Sequence, residues 1–292
     1  MNQGEALCLA FFTEVKPMKR RSELFIGFLL ILPALIVLGA LYVYPLFLSI
    51  YTSFTVGGKY GLANYAKAFD IYWRDIIYSV AISFTTTVAT LIVSVVVSGY
   101  LRFKNWKFLE LMYKLPLFIP FLIVGHAMRV FLASHGTLNN LLTRILRIEE
   151  LPGLSRSWIG LVWAFVWIMT PYATLIVLGA FKSLDSAYIE AAQNVGASKW
   201  KIVVDILIPM CRPSIMVAFI LTFVRTISSL TIPIMVGPAS PNMITVNMMF
   251  RVNYFNDWGT ANALGVISYL IVMVFAIYYL RFMAAERGGI KA

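Results

Sequence analysis

The sequence predicts an all-α membrane protein with six transmembrane helices. Of its 292 residues, 60% are hydrophobic and only 13% are charged, whereas soluble domains average about 25% charged residues. Six apolar runs are long enough to span a bilayer, which needs about 20 residues, and none alternates with the period of a barrel strand. This composition argues against a soluble enzyme or a disordered chain, and two cysteines cannot support a disulfide scaffold.

The predicted spans follow one another along the chain, at residues 24–54, 78–101, 109–131, 158–181, 213–236 and 261–280. Prolines occur in the first, third and fourth spans, namely Pro33, Pro45, Pro116, Pro120 and Pro171. These prolines are compatible with membrane helices, because neighbouring helices or water satisfy the carbonyl groups that a proline leaves without a donor.

The distribution of basic residues predicts the orientation. The N-terminus, the loops 102–108 and 182–212 and the C-terminus hold fourteen Lys and Arg residues, against seven in the loops on the other side. Because Lys and Arg accumulate in cytoplasmic loops, we predict a cytoplasmic segment over 1–23, a membrane domain over 24–280 and a cytoplasmic tail over 281–292. This excess also explains the net charge of +11 without a nucleic-acid partner. Residues 1–17, which precede a basic cluster, are predicted to be a dispensable or misassigned extension.

Motifs for nucleotide hydrolysis and metal binding are missing from the sequence. The only Gly-Lys pair, Gly58-Lys59, is followed by Tyr60 and lacks the first glycine of a P-loop. The two histidines, His126 and His135, and two distant cysteines do not supply a zinc site. All thirteen acidic residues fall outside the predicted membrane midplane, where proton-driven transporters carry such groups. We therefore predict no catalytic residue, metal or cofactor in this chain, and a driving energy supplied by another protein.

The loop 182–212 between the fourth and fifth predicted spans, called the elbow below, has the pattern of a helix–turn–helix. Asp185 and Ser198 are predicted to cap the two helices, and Gly196 to stop the first. One predicted face of the first helix comprises Leu184, Tyr188, Ala191, Ala192 and Val195. The predicted apolar stripe of the second comprises Trp200, Val203, Val204, Leu207 and Ile208. Pro209 and Pro213 then break the chain before the fifth span.

The first helix of the elbow differs from a helix that lies on lipid. Such helices usually place large apolar side chains opposite a face rich in Lys and Arg, whereas residues 186–195 contain neither basic residue. Its alanines permit close approach of a partner, and Glu190 supplies one fixed charge. The pattern favours docking to a cytoplasmic protein, and contact with the lipid surface is the alternative.

The elbow resembles the signature loop of the permease subunits of binding-protein-dependent ABC importers. The match comprises Glu190, Ala191, Ala192, Gly196, Ile206, Ile208 and Pro209, with a leucine common in that family where Ile208 stands. The resemblance implies that the elbow contains a coupling helix. The residues implied to couple this chain to the ATPase, called the coupling set, are Glu190, Ala191, Ala192, Gly196, Ala197 and Pro209. Within this set, residues 190–192 would contact the ATPase, Gly196 would make the turn and Pro209 would end the second helix.

The same resemblance implies the partners and the location. They are a dimer of ATPase subunits, which bind ATP and Mg²⁺, a second permease subunit, the same or similar, and an extracytoplasmic solute-binding protein, in the inner (plasma) membrane of a prokaryote. The segments 131–142 and 179–185 are most similar to polyamine permeases, a group without a sharp boundary to the iron, thiamine and phosphonate importers. The implied function is import of a polyamine or similar small solute. A sugar-type permease is the nearest alternative, and an autonomous secondary transporter or channel built on broken helices is the alternative from another class.

Arg225 lies in the middle of the predicted fifth span, where a charge costs roughly 2.5–3.5 kcal/mol and must face protein or water. It is a candidate for the translocation path, together with Ser228 and Ser229. Trp167 and Tyr172 in the fourth span are further candidates. The alternatives are that Arg225 binds carbonyl groups freed by a proline and that the aromatic side chains simply pack. A cationic side chain in the path fits an anionic solute better than a polyamine.

Overall fold

The computed structural model describes residues 20–104, 106–146 and 152–289, and most of these residues are helical. The predicted extension over residues 1–17 lies outside them. The helices are, in chain order, α1 (Arg20–Leu38), α2 (Tyr44–Ser53), α3 (Ala63–Phe103), α4 (Lys107–Lys114), α5 (Phe121–Phe131), α6 (Thr137–Leu146), α7 (Trp158–Ser183), α8 (Ser186–Asn194), α9 (Lys199–Ile202), α10 (Ile208–Met210), α11 (Arg212–Ile227), α12 (Thr231–Val236), α13 (Ile244–Asn253) and α14 (Trp258–Gly289). A short antiparallel hairpin, β1 (Thr55–Val56) with β2 (Lys59–Tyr60), precedes α3.

Four helices of the described chain are long and apolar enough to cross a membrane. They are Gly27–Ser53, Ala63–Phe103, Trp158–Ser183 and Trp258–Arg281. Two bent pairs raise the number to six if each pair is one span: Lys107–Phe118 with Phe121–Phe131, bent by 105°, and Lys199–Met210 with Arg212–Ile227, bent by 79°. The chain therefore has four to six candidate spans, and the predicted six-span topology stays a prediction.

The third and fifth predicted spans are not single continuous helices. In the third, a 3-10 turn, Leu115–Phe118, follows α4, and Ile119 is extended because the proline after it disfavours the helical backbone. In the fifth, α11 ends at Ile227 and a short break separates it from α12. Pro233 in α12 has no amide hydrogen to donate to the carbonyl oxygen of Ser229, four residues earlier. The hydroxyl of Thr245 donates to that oxygen instead, at 2.7 Å.

The chain divides into two compact units, residues up to Thr52 and residues from Ser53 onward. In the first unit a π-helical turn, Gly39–Val43, joins α1 to α2 two residues before Pro45. In the second unit another π-helical turn, Val203–Leu207, joins α9 to α10 two residues before Pro209. A wider turn keeps the proline ring away from the carbonyl group of the preceding turn, so the helical run continues through each proline.

The core of the second unit is built on a stripe of small hydroxyl residues along α3. Seven of them are completely buried: Ser79, Ser83, Thr86, Thr87, Thr90, Ser94 and Ser98. Their spacing of three or four residues places them on one face of the helix. Small side chains let membrane helices approach closely, and α3 packs along α7 over this face.

A charged network ties the start of α14 to α3 and α13. The Asp257 carboxylate contacts the Lys67 ammonium at 2.6 Å and the Arg251 guanidinium at 3.4 Å. It also accepts a hydrogen bond from the Thr260 amide at 3.1 Å, as an N-cap does. The Arg251 Nε in turn donates to the hydroxyl of Tyr72 at 2.6 Å. Asp257 thus joins three helices at this end of the fold.

Acidification should loosen this network. Burial alone would raise the pKa of Asp257, but hydrogen bonds from Lys67 and the Thr260 amide and the charge of Lys67 outweigh it and lower the pKa below 3.8. A depressed pKa stabilises the fold above the unfolded-state pKa, and this contribution is lost as the pH falls through the folded-state pKa. We expect Asp257→Asn to lower the free energy of unfolding at neutral pH by about 0.5–1 kcal/mol, a small value because Lys67 is half exposed.

Thermal unfolding of the purified protein, followed by circular dichroism as the pH is lowered, measures this effect. Asp257→Asn should also weaken the acid dependence. The matched control is Asp70→Asn, which removes an exposed carboxylate from α3 that has no ion pair within the described residues. Equal unfolding temperatures for wild type and Asp257→Asn across the pH range would contradict the assignment.

Candidate functional site

The elbow is a helix–turn–helix, as predicted, formed by α8 and α9. The Asp185 carboxylate accepts a hydrogen bond from the Ala187 amide at 3.0 Å, and the Ser198 hydroxyl accepts one from the Lys201 amide at 3.3 Å, so both predicted caps are confirmed. Gly196 has a φ of +82°, which favours glycine.

Two backbone hydrogen bonds close the end of α8 in a Schellman motif. The Ala197 amide donates to the carbonyl oxygen of Ala192 at 3.0 Å, and the Gly196 amide donates to that of Gln193 at 2.9 Å. Sequence-local chemistry therefore fixes the turn between the two helices. The helical run after the turn ends at Met210, one residue past Pro209.

The buried side of the elbow differs from the predicted faces. Ile189 is the anchor of α8, only 6% exposed, and belongs to a cluster with Phe181, Ile202, Val203 and Leu207. Leu184 and Ala192 of the predicted face pack partly against this cluster, whereas the other members are exposed. On the second helix Ile202 is buried in place of the predicted Trp200 and Val204.

The opposite side of α8 forms an exposed face, which we call the α8 face. It comprises Tyr188, Glu190, Ala191 and Val195. The Tyr188 side chain is 54% exposed and that of Val195 is 84% exposed. Tyr188, Ala191 and Val195 lie on one side of the helix, and Glu190 lies about 100° or more around it from each of them. Nothing within the described chain covers these four exposed residues.

The elbow is held against α3 and α7 by hydrogen bonds and close packing. The Arg102 Nε donates to the carbonyl oxygen of Phe181 at 2.9 Å, and its Nη2 donates to that of Leu184 at 3.3 Å. Arg102 of α3 thus satisfies carbonyl groups at the end of α7 that have no donor within the helix. Gly99 permits the close packing of α3 on the second helix, since a Cβ there would lie 2.9 Å from Val203 Cγ2. The elbow is therefore attached to both α3 and α7.

Arg225 and Tyr172, two candidates for the path, are in contact. The Arg225 guanidinium carbon lies 4.4 Å from the centroid of the Tyr172 ring and 5.8 Å from that of Phe121. These distances fit cation–π contacts. Within the described residues the guanidinium has no ion pair and no hydrogen bond to a carbonyl oxygen, and the residue is exposed. The sequence predicted that Arg225 faces protein or water but did not predict its contact with Phe121, which follows the break in the third predicted span.

The remaining path candidates are not brought to that contact. Trp167 lies five residues before Tyr172, about 140° away around the helix, and lines two cavities of about 590 Å³ and about 880 Å³ together with Trp163. Ser228 is exposed at the end of α11, whereas Ser229 is buried. No group of three His, Cys, Asp or Glu side chains placed to hold a metal ion occurs among the described residues.

A family comparison decides the class of protein. Residues 97–285, which include the elbow and the Arg225 contact, match the family described as "Binding-protein-dependent transport system inner membrane component". The chain belongs to this family. It is a permease subunit of a type I ABC importer, a multi-pass protein of a prokaryotic inner membrane, and the resemblance drawn from the elbow is confirmed.

Characterised relatives and a solved structure agree with this assignment. The chain is 26% identical over 280 residues to the sulfoquinovosyl glycerol transport system permease protein of Agrobacterium fabrum, covering 88% of this chain and 90% of the relative. It is 24% identical over 227 residues to the spermidine/putrescine transport system permease protein of Salmonella typhimurium, covering 75% and 78%. Its fold is similar to a chain of the bacterial alginate ABC transporter in complex with its alginate-bound periplasmic protein, with a TM-score of 0.76, 18% identity and coverage of 87% and 92%. Relatives include sugar, polyamine and phosphonate permeases, so these identities do not separate the branches.

Proposed function

We propose that this chain spans the membrane six times with both termini in the cytoplasm and that the elbow is the coupling loop held by a dimer of ATPase subunits. The observation that carries the proposal is the α8 face. Tyr188, Ala191 and Val195 expose apolar surface together on one side of a helix whose Ile189 packs against α7, and a contiguous exposed apolar patch is typical of a docking surface for another protein. In the coupling set, Glu190 and Ala191 contact the ATPase, while Gly196 and Ala197 hold the turn.

The geometry supplies a mechanical link from this surface to the membrane. Closure of the ATPase subunits around ATP and Mg²⁺ displaces α8. Because Ile189 is buried against Phe181 and Arg102 binds the end of α7, the displacement reaches α7. The same helix carries Tyr172, which contacts Arg225. Work done at the elbow is thereby transmitted to the proposed path.

The complete importer contains a second permease subunit, the same or similar, and a solute-binding protein outside the membrane. The solute enters between the two permease subunits and passes Arg225 and Tyr172, with Ser228 at the end of α11. Trp167, which lies about 140° around α7 from Tyr172, is proposed to line a separate, apolar part of the path, through its cavities with Trp163. The candidate solutes are the classes that relatives carry: a polyamine or a similar small solute such as a phosphonate, or a sugar.

Uptake in vesicles tests this function. The importer is isolated from native membranes through a tag on this chain, together with its binding protein, and reconstituted. We expect ATP inside the vesicles to drive uptake of one of three labelled solutes, spermidine, trehalose or 2-aminoethylphosphonate, only when the binding protein is present. Uptake driven by an ion gradient without ATP would contradict the proposal and favour an autonomous transporter built on the broken helices.

A further inference from the structure

A small cleft beside α5 and α12, called the arginine cleft, brings together polar side chains from three separate segments. Its volume is about 250 Å³, and its polar side chains are those of Arg129, Arg156 and Asn242. Arg129 lies in the last turn of α5, Arg156 in the loop before α7, and Asn242 in the loop before α13. Ile234 and Phe250 contribute to its apolar wall.

The cleft has two positive charges that form no ion pair within the part of the chain that the structure describes. Both arginines are exposed, and within the described residues no carboxylate oxygen lies within 4.0 Å of either guanidinium. The acid that contacts the cleft wall, Asp75, accepts a hydrogen bond from the Asn242 backbone amide at 2.5 Å. The Asn242 side-chain oxygen accepts a hydrogen bond from the Met243 amide at 2.9 Å, which leaves its Nδ2 as a further donor.

The backbone at Arg156 is held in an uncommon conformation. Its φ is +64°, in the left-handed region that residues other than glycine rarely adopt. Its amide donates to the carbonyl oxygen of Val236 at 2.7 Å, and the amide of Ser155 donates to that of Leu132 at 2.9 Å. These bonds attach the loop to the ends of α12 and α5. Strained residues of this kind cluster at ligand clamps.

A third cation, Arg225 of α11, contacts α5, the helix that carries Arg129. Phe121, on which Arg225 stacks, and Arg129 are eight positions apart on α5, about 12 Å along its axis. The cleft and the proposed path therefore adjoin one helix, and the guanidinium groups at its two ends have no ion pair among the described residues. A cation such as spermidine would be repelled at both points, whereas paired guanidinium groups bind oxyanions through charge-assisted hydrogen bonds.

We propose that the arginine cleft binds the oxyanion group of a small solute, a carboxylate, sulfonate or phosphonate, and that the importer carries an anionic solute. This proposal rests on the proposed function, because it treats the cleft as a solute-binding site on the translocation path that leads to Arg225. It opposes the polyamine expectation drawn from the sequence. A phospholipid headgroup presents the same chemistry, so the test must separate the two sources.

Binding of radiolabelled inorganic sulfate to the purified full-length protein tests the cleft. The protein is placed in nanodiscs of phosphatidylcholine alone, without ATP or partner subunits. Arg129→Ala and Arg156→Gly each remove one guanidinium, and glycine suits the left-handed backbone at position 156, so the loop is retained. The matched control, Arg74→Ala, removes an exposed arginine of α3 that stacks on Trp73 at 5.3 Å.

We expect saturable sulfate binding by the wild type and by Arg74→Ala, weakened at least about tenfold in Arg129→Ala and in Arg156→Gly. Absence of saturable binding, or equal binding by all four proteins, would overturn the proposal. A second set of nanodiscs contains phosphatidylglycerol. If the arginine variants lose only the binding of phosphatidylglycerol, and sulfate does not compete with that lipid, the occupant is lipid and the anionic-solute proposal is wrong. ATP-driven uptake is measured separately, so its failure would contradict the proposed function and leave the sulfate result standing.

Discussion

Glu190→Lys should abolish ATP-driven uptake by the reconstituted importer while the chain still inserts and folds. Glu190 is the acidic member of the α8 face, and the other members, Tyr188, Ala191 and Val195, are exposed on the adjoining side of the helix. In the proposed complex the ATPase covers this face. Charge reversal at a covered position leaves the new charge without a partner and repels the group that matched the old one, which costs about 2–5 kcal/mol. We therefore expect a loss of roughly thirtyfold or more in ATPase co-purification and in uptake.

The control for this substitution is Asp205→Lys, which reverses an exposed acid on the second helix of the elbow, away from the α8 face. It should retain uptake and co-purification. A cysteine at Val195, which is 84% exposed, should crosslink to the ATPase subunit, since the native Cys211 is buried. Unchanged uptake by Glu190→Lys, together with failure of the crosslink, would show that the ATPase does not dock on this face.

The caps and turn of the elbow could be predicted because their chemistry is local. An aspartate or serine before a helix and a glycine after it act through the nearest backbone groups, so Asp185, Gly196 and Ser198 are found in their expected roles. The buried side could not be predicted in the same way. In a helix of nine residues, the neighbouring elements determine which side chain is buried. Phe181 and Ile202, which lie outside α8, form one buried cluster with Ile189.

The membrane spans show a similar division. Apolar composition predicted six runs, and four of them are continuous helices long enough to cross a membrane. The breaks depend on local geometry. Pro33 and Pro171 lie inside continuous helices, whereas the chain bends by 105° at Pro120. Proline spacing alone therefore does not distinguish a tolerated proline from a break.

The contacts at the proposed path were partly predictable. The cost of a charge in lipid indicates that Arg225 faces protein or water. The partner itself is set by how α5, α7 and α11 pack, and Tyr172 is 53 positions away in the sequence. The arginine cleft gave no sequence signal, because Arg129, Arg156 and Asn242 come from unrelated segments.

Gly160→Ala should destabilise the fold, whereas the same change at Gly179, the other glycine of α7, should not. Gly160 is buried in the first turn of that helix, and an added Cβ would overlap the carbonyl oxygen of Leu154 and lie 2.9 Å from its carbon. That carbonyl group cannot withdraw freely, because the Ser157 hydroxyl and amide both donate to it, at 2.5 Å and 3.2 Å. The same hydroxyl accepts a hydrogen bond from the Gly160 amide at 3.1 Å, so relief of the overlap also disrupts the helix cap.

We expect Gly160→Ala to lower the free energy of unfolding by about 1–3 kcal/mol, the usual cost of overpacking. Gly179→Ala is the control within the same helix, because nothing lies within 4 Å of its added Cβ. Alanine favours a helix over glycine by about 1 kcal/mol, so the control should be neutral or stabilising. Thermal unfolding of the two purified variants in detergent measures the difference. A lower unfolding temperature for Gly179→Ala than for Gly160→Ala would mean that Leu154 does not pack on the start of this helix as described. The stability of α7 also matters for function, because this helix carries both the residues that hold the elbow and Tyr172.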